Sequence, residues 1–494
     1  MLAVLSLCAT PAFAQDSDSG FDIFEQGEGG KKPDPPKADP PPDHDPGFDL
    51  FEKPPGSGPP TTPTDPRPPT GSDTTSTEPD KKSSPGFFGE KFTLVHNLRI
   101  IAGALDNYDY PPFFAGNPND ALTNLSWRIG FEDKPTDNFA YKLHGEQRVF
   151  ATTASGGIGG GALSGGGTGD TRYRSADMVW RQVEESDLNA SLVLDWFAVT
   201  LSFKADDVPI DIIIGRQAIT FGTAYIWNPL DEFLPYDPRQ IDQTYKPGVD
   251  AIRVDVTLGR ASGVSIVAAA GRTVGNTGAW SNRHFIDADW YGSAIMARVF
   301  FQIDSTGFAL QGGKVYGGYQ IGGSIVGEID PLQIYGEAAY LFADGQSPQF
   351  AAPLTGDLSQ SHFEAVVGFN WPISSDATLT VEYLFNGAAD VNSFEKSIAR
   401  VGAGWAYHLS RHVAAVSVAW TVNGQISQSF LAIVSPLDPS VQLQAATTVT
   451  LGDNVSFLAG LQINIGDAPT VADGIRSEFG TFPHLFFVHI EVNF

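Results

Sequence analysis

Pro483-His484-Leu485-Phe486-Phe487-Val488-His489-Ile490-Glu491-Val492-Asn493-Phe494 is the stretch whose reading decides the fold. From Phe486 onward apolar and polar residues alternate, and the run stops on an aromatic. Successive side chains of a β-strand point to opposite faces. Phe486, Val488, Ile490, Val492 and Phe494 therefore share one face, and Phe487, His489, Glu491 and Asn493 share the other. The first face is greasy and the second largely wet.

The same alternation recurs upstream. Leu122–Phe131, Phe139–Phe150, Ala251–Leu258, Ile295–Gln302, Leu332–Phe342, Phe363–Trp371, Leu379–Phe385, Arg400–Leu409, His412–Val422 and Phe457–Ile465 all read as strands. Most run about 9–11 residues, enough to cross a bilayer at a tilt. Dividing the roughly 400 residues after position 90 by about 22 per strand and connection gives about 18 strands, within a range of about 16–20. No stretch approaches about 18 uninterrupted apolar residues, which excludes helical spans. A bilayer still admits a closed barrel, because closure satisfies every backbone group without water. The expected fold is all-β, a transmembrane antiparallel β-barrel over residues 91–494. A soluble β-sandwich or β-helix is the rival, but no linker interrupts this stretch and no repeat of fixed period runs through it. Residues 171–190 read as loop or strand, and 306–330 as one strand or two.

The beginning of the chain differs. Leu2 to Ala14 reads as a signal peptide without the usual basic n-region: a short apolar core precedes Ala12-Phe13-Ala14, which fits the small-x-small cleavage rule before Gln15. Leu7 stands before Cys8 where a lipoprotein site expects a small residue. Cleavage would remove the one cysteine, so disulfide scaffolds and thiol redox chemistry are not expected. Residues 15–90, rich in proline and aspartate, read as a disordered extension. Within it Gly20-Phe21-Asp22-Ile23-Phe24-Glu25 recurs as Gly47-Phe48-Asp49-Leu50-Phe51-Glu52. Phe21, Phe24, Phe48 and Phe51 are candidates for a duplicated docking motif toward a periplasmic partner; repeat expansion without function is the alternative.

Connections after residue 91 differ in kind. Glu132–Thr136, Ala205–Val208 and Ser374–Ala377 read as tight turns for the periplasmic side, while Asp106–Asp120, Gly156–Asp170, Asp344–Leu358 and Gly466–Phe482 suit the exterior. Trp127, Tyr141, Trp371, Tyr383, Trp405 and Trp420 sit near strand ends, where an aromatic girdle would meet headgroups. Residues 223–248 form a loop too long for a hairpin, stiffened by Pro229, Pro235, Pro238 and Pro247. Trp227, Phe233, Tyr236 and Tyr245 give it apolar material to pack, so it is expected to fold into the barrel and narrow it. Trp227, Asn228, Asp231, Tyr236 and Asp237 are its candidate constriction residues, and the alternative is a rigid surface loop.

The stretch Ile214-Gly215-Arg216-Gln217-Ala218-Ile219-Thr220-Phe221-Gly222, followed by Trp227-Asn228-Pro229-Leu230-Asp231 and Tyr236-Asp237-Pro238, resembles porin and alginate-export-type barrels of Gram-negative bacteria. So do Val381-Glu382-Tyr383-Leu384-Phe385-Asn386-Gly387 and Ser477-Glu478-Phe479-Gly480. The last strand, ending in Phe494, resembles the closing strand of such barrels. The resemblance implies an outer-membrane channel without cofactor. It also implies that Phe486, Val488, Ile490, Val492 and Phe494 form the signal read by the barrel-assembly machinery. It points to no particular solute.

Charge and motifs restrict the function further. A formal net charge of −27 argues against nucleic acid as a partner. On the early strands Arg99, Arg128, Lys142, Arg148, Arg253 and Arg298 fall on the inward face, diluted by Glu132, Glu146 and Asp255. On later strands Glu328, Glu337, Glu364 and Glu382 do, with Arg400 an exception. Opposed basic and acidic walls would set a field across a wet bore; chance grouping in a hydrated lumen is the alternative. None of the nine histidines has metal-ligand spacing, and no nucleophile elbow or phosphate loop is present. Asp287-Ala288-Asp289 and Asp231-Glu232 match no EF-hand spacing and read as solvated charge. The expected function is passive diffusion of small hydrophilic solutes rather than catalysis, with outer-membrane lipid around the barrel. An export conduit for polysaccharide or within an envelope complex, and a plugged barrel serving as tether or receptor, are the alternatives.

Overall fold

The computed structural model describes residues 92–106, 119–153, 172–185, 187–235, 238–273, 285–345, 360–390, 394, 397, 400–401 and 406–494. The expected signal peptide, the proline-rich stretch with its Phe21, Phe24, Phe48 and Phe51 motif, Trp405, Tyr236 and Asp237 lie outside these residues.

Alternation of apolar and polar residues produces one antiparallel sheet of 19 strands. The strands are β1 (Thr93–Asp106), β2 (Asn119–Thr136), β3 (Phe139–Thr152), β4 (Val179–Glu184), β5 (Leu188–Ala205), β6 (Val208–Gln217), β7 (Val249–Gly259), β8 (Ser262–Ala269), β9 (Ala294–Ile303) and β10 (Thr306–Val315). They continue as β11 (Gly318–Ile329), β12 (Leu332–Ala343), β13 (His362–Ser374), β14 (Ala377–Asn386), β15 (His412–Asn423), β16 (Ile426–Ser435), β17 (Ser440–Thr450), β18 (Val455–Ile465) and β19 (His484–Asn493). Pairing of β1 with β19, from Asn97↔Asn493 to Asp106↔His484, closes the sheet on itself. Closure removes both edges of the ring, so each of its strands has a neighbour on either side for its backbone groups.

Eighteen of the strands run round the ring; β4 is extra. β5 is long, and β6 pairs only with its second half, Phe197–Ala205. β4 pairs with Asn189–Val193 of the first half, supplying partners that β6 leaves vacant. Opposite this, β3 pairs with β5 across a bulge at His144/Gly145. The extra residue is Asp195; it and Trp196 both turn to the interior, as a bulge allows.

The two faces are chemically distinct. On β19 the apolar set Phe486, Val488, Ile490, Val492 and Phe494 faces out, with Phe486 50% and Phe494 67% exposed, while Phe487 and His489 are buried. Trp127, Ile252, Ile266, Val299, Ile321, Phe363, Trp371, Tyr383, Val416 and Phe430 continue the exposed apolar surface round the barrel. Arg128, Arg253, Ser265, Arg298, Gln311, Glu337, Glu382, Ser417, Gln442 and Gln462 are among the buried residues of the inner wall. The fold is a transmembrane-type barrel with a lipid-compatible exterior. Among the described residues no helix is long and apolar enough to cross a membrane.

Seven two-residue turns and one four-residue turn, Leu451–Asn454, lie at the end where β1 starts and β19 stops. The longer connections, 218–248 among them, lie at the other end. Two sequence expectations need correction, and one left open is settled. Glu132–Thr136 belongs to β2, and the turn is Asp137–Asn138. Residues 306–330 hold two strands, β10 and β11, joined by Tyr316-Gly317. The described residues of Arg400–Leu409 form no strand; they lie in the connection from β14 to β15, whose closing residues are used by neighbouring loops rather than by the sheet.

Val299 lies mid-strand on the exposed face. Val299→Arg is expected to destabilise the barrel by about 2–4 kcal/mol in denaturant unfolding from lipid vesicles. The bore-facing Gln302→Arg should cost well under half as much; equal losses would contradict the assignment of faces.

Candidate functional site

The site starts where β6 ends in Gly215-Arg216-Gln217. Gly215 has φ 127°, and a Cβ there would overlap the Phe197 carbonyl, so this position calls for glycine. Arg216 is fully buried. Its Nε donates to Asp250 Oδ1 at 2.6 Å and its Nη1 to the Leu194 and Asp177 carbonyls at 3.0 and 3.2 Å. Nη2 donates to Asp250 Oδ2 and to the Ala176 carbonyl. One guanidinium thus ties β5, β6, β7 and the segment before β4 together where β5 and β6 part. The fixed donor fork of arginine suits this role.

The described residues of 218–248 then lie against inward side chains of strands on both sides of the ring. Glu382 on β14 accepts from three successive backbone N–H groups: Tyr225 at 2.6 Å, Ile226 at 3.0 Å and Trp227 at 3.1 Å. Tyr335 Oη donates to the same carboxylate at 2.8 Å. Glu337 on β12 accepts from Thr223 N and Oγ1 at 2.8 and 3.0 Å and from Leu230 N at 3.2 Å. Arg298 on β9 donates to the Phe221 carbonyl, and Gln311 on β10 to that of Leu230 at 2.7 Å. Toward β1, Arg99 donates to Asp242. The Tyr245 ring receives Arg128 at 4.1 Å and Arg99 at 5.0 Å from its centroid, a cation–π arrangement. Within the loop, Lys246 Nζ donates to Asp231 Oδ2 at 2.6 Å and to Thr220 Oγ1 at 3.1 Å, tying its two ends. Ala224, Ile226 and Trp227 join Phe300, Tyr335, Leu384, Leu431 and Phe479 in a buried apolar cluster.

Three connections meet at His408. Trp227 Nε1 donates to His408 Nε2 at 2.9 Å. An indole N–H can only donate, so Nε2 accepts and the proton sits on Nδ1. That nitrogen faces Glu478 Oε1 at 3.0 Å. Glu478 Oε2 accepts from Leu409 N at 2.6 Å and Ser410 N at 2.7 Å. Tyr407 Oη donates to the Pro235 carbonyl at 2.8 Å. The loops after β6, β14 and β18 are thereby one bonded unit.

The expected lumen charges find partners nearer than the opposite wall. Arg128 meets Asp195 at 2.6 Å and Glu146 at 3.3 Å, and Arg148 meets Glu146 at 2.6 Å. Arg174 Nη2 adds a bond to Asp195 Oδ1 at 2.7 Å. Arg253 pairs with Asp255 at 2.8 Å. Glu364 lies 3.3 Å from His362, and Glu328 is exposed near the turn end of β11. Among the expected constriction residues, Trp227 and Asp231 are buried in the loop contacts above. The Asn228 carbonyl accepts from Asp231 N at 3.0 Å. Asp289 is used within its own connection, accepting from Thr273 N at 2.6 Å and Gly292 N at 2.7 Å. Among the described residues no group of three or more His, Cys, Asp or Glu could hold a metal ion.

Sequence reasoning missed Asp195, Arg174, Asp242, His408 and the partners of Glu478. Asp195 sits at a bulge, which no period reveals. Glu478 was visible within Ser477-Glu478-Phe479-Gly480, though its partners were not.

Burial opposes charge throughout the loop. Burial raises the Asp231 carboxyl and lowers the Lys246 ammonium from their ordinary values, and the attraction within the pair only partly offsets it. Burial also raises Tyr245, to about 12. Asp242 goes the other way: burial alone would raise it, but the Arg99 guanidinium, with help from His489, holds it well below the usual carboxylate range.

Comparisons with known proteins find only distant likenesses. No family model and no curated protein matches the chain. Among solved structures, a mutant of Rh. blastica porin superposes with TM-score 0.37 at 10% identity, covering 82% of this chain and 100% of that chain. A triple mutant of Rhodopseudomonas blastica porin gives TM-score 0.37 at 9% identity over the same shares. A structure described as "Asymmetric conductivity of engineered proteins" gives TM-score 0.38 at 9% identity, again covering 82% and 100%. Likeness at this level carries no argument.

Two outcomes follow from the bonding. Glu382→Ala strands three backbone N–H groups and should speed hydrogen exchange at residues 225–227 by about tenfold or more, since each orphaned buried donor costs about 1–3 kcal/mol; unchanged exchange would show that Glu382 does not hold the loop. Asp242 has a folded pKa below its unfolded value of about 3.9, so its contribution is complete above that pH and is lost as pH falls through the folded value. The denaturation midpoint should therefore drop on acidification below about pH 4, and drop less in Asp242→Asn. An identical acid response in both proteins would contradict this.

Proposed function

We propose that the chain is an outer-membrane channel through which small hydrophilic solutes diffuse passively, narrowed by residues 218–248. The two-sided wall supports this reading most. Apolar side chains cover the exterior, where an Arg or Lys at the midplane would cost about 2–4 kcal/mol. Arginines, glutamates, glutamines and serines line the interior, and polar linings serve water-filled passages. The end where β1 starts and β19 stops, which carries seven of the two-residue turns, faces the periplasm, with the proline-rich extension there, and the long connections face outward. Lipid and the barrel-assembly machinery are the partners this placement requires.

One observation favours a second reading. The cluster of Ala224, Ile226 and Trp227 with inner-wall residues of β9 to β16 is apolar and buried, which suits a loop that closes the bore. The barrel would then be a tether or receptor.

Purified full chain in planar bilayers separates the two. Stepwise conductance that grows on deleting residues 223–230 is expected for the narrowed channel. Absence of steps from both proteins would sink it in favour of the plugged barrel.

A further inference from the structure

Beside the loop lies a recess of about 120 Å³. An enclosed engineered cavity of roughly 150 Å³ holds one benzene; this recess is smaller but open on one side, so one six-membered ring can seat in it with substituents projecting out. Trp227, Tyr291, Tyr316 and Tyr407 bring aromatic rings to its lining. Its charged residues are Arg172, Arg400, Asp231, Glu232 and Glu364. These are matched in place. Arg172 Nη1 lies 3.6 Å from Glu232 Oε1, and Lys246 Nζ lies 2.6 Å from Asp231 Oδ2. His362 Nε2 stands 3.4 Å from Arg400 Nη2 and 3.3 Å from Glu364 Oε1.

With Lys246 counted, three cations stand beside three carboxylates. An entering ion of either sign would meet a like charge next to each opposite one, and gains little net attraction. A neutral ring carrying several hydroxyls has no such conflict. Each hydroxyl donates and accepts, so it can receive from a guanidinium and give to a carboxylate at once, in charge-assisted bonds. The C–H faces of the same ring suit aromatic walls, which pair an apolar body with a polar tip.

We propose that this recess binds a neutral, polyhydroxylated six-membered ring, a single sugar unit, beside the loop. The proposal deepens the channel reading and rests on it only for onward passage of the solute. The test titrates D-glucose into detergent-solubilised full chain, following tryptophan fluorescence and equilibrium dialysis, with glycine and D-glucuronate as zwitterionic and anionic comparators. Saturable binding with a millimolar Kd is expected for glucose alone, weakened about tenfold by Arg400→Gln and by Glu364→Gln, a loss of about 1.4 kcal/mol. Circular dichroism checks that each variant keeps its barrel, and the two variants lie on different elements, so one misfolded protein leaves the other to decide. No saturation, equal binding of either comparator, or an unchanged Kd in a folded variant would overturn the site. Binding without bilayer conductance would instead remove the channel reading and leave the site standing.

Discussion

Hydrocarbon offers no hydrogen bonds, so every backbone N–H and C=O that crosses it needs a partner within the protein. Much of this structure answers that constraint. The ring closes through β1 and β19, which is why the last strand matters as much as any other. Where β5 and β6 separate, β4 takes up part of the vacant edge, and Arg216 meets the carbonyls of Leu194 and Asp177 in place of a strand. Closure also forces the side chains into two populations. Those outside must tolerate lipid, while those inside need water or one another.

Inside, the deciding quantity is the cost of an unpartnered buried charge, which is several times the worth of an ordinary hydrogen bond. The inner wall answers it locally. Arg128 and Arg174 share Asp195, and Arg99, Arg128 and Arg148 share Glu146. Among the described residues no arginine fork donates to Glu337 or Glu382; they take backbone N–H groups of the 218–248 loop. The loop's polar backbone and the wall's carboxylates satisfy each other, and this reciprocity fastens the loop. Through Trp227, His408 and Glu478 the same unit reaches two further connections, so a disturbance at one would be felt at all three.

Legibility varied with the range of the interaction involved. Strands such as β7, β9, β15 and β19 could be read because lipid on one side and a wet bore on the other impose a period of two. Glu132–Thr136 read as a turn because polar residues crowd a strand end that leaves the hydrocarbon; the backbone ladder there continues regardless. Arg400–Leu409 alternates like a strand, yet His408, Leu409 and Ser410 give their polar groups to Trp227 and Glu478. Inward placement of Arg128, Arg298, Glu337 and Glu382 followed from parity. Their partners did not, since Glu382 and Trp227 are far apart in the chain and meet only after the ring has closed.

From its residue order alone the chain determined an all-β barrel, the two faces of most strands and the existence of one long proline-stiffened loop, because these depend on local spacing and on the solvent each face must meet. Only the tertiary structure decided the bulge that turns Asp195 inward, the place of β4, the carboxylates that grip the loop and the recess beside it. Each of those arises from groups distant in sequence, brought together by closure of the sheet and selected by the cost of leaving a buried donor or charge without a partner.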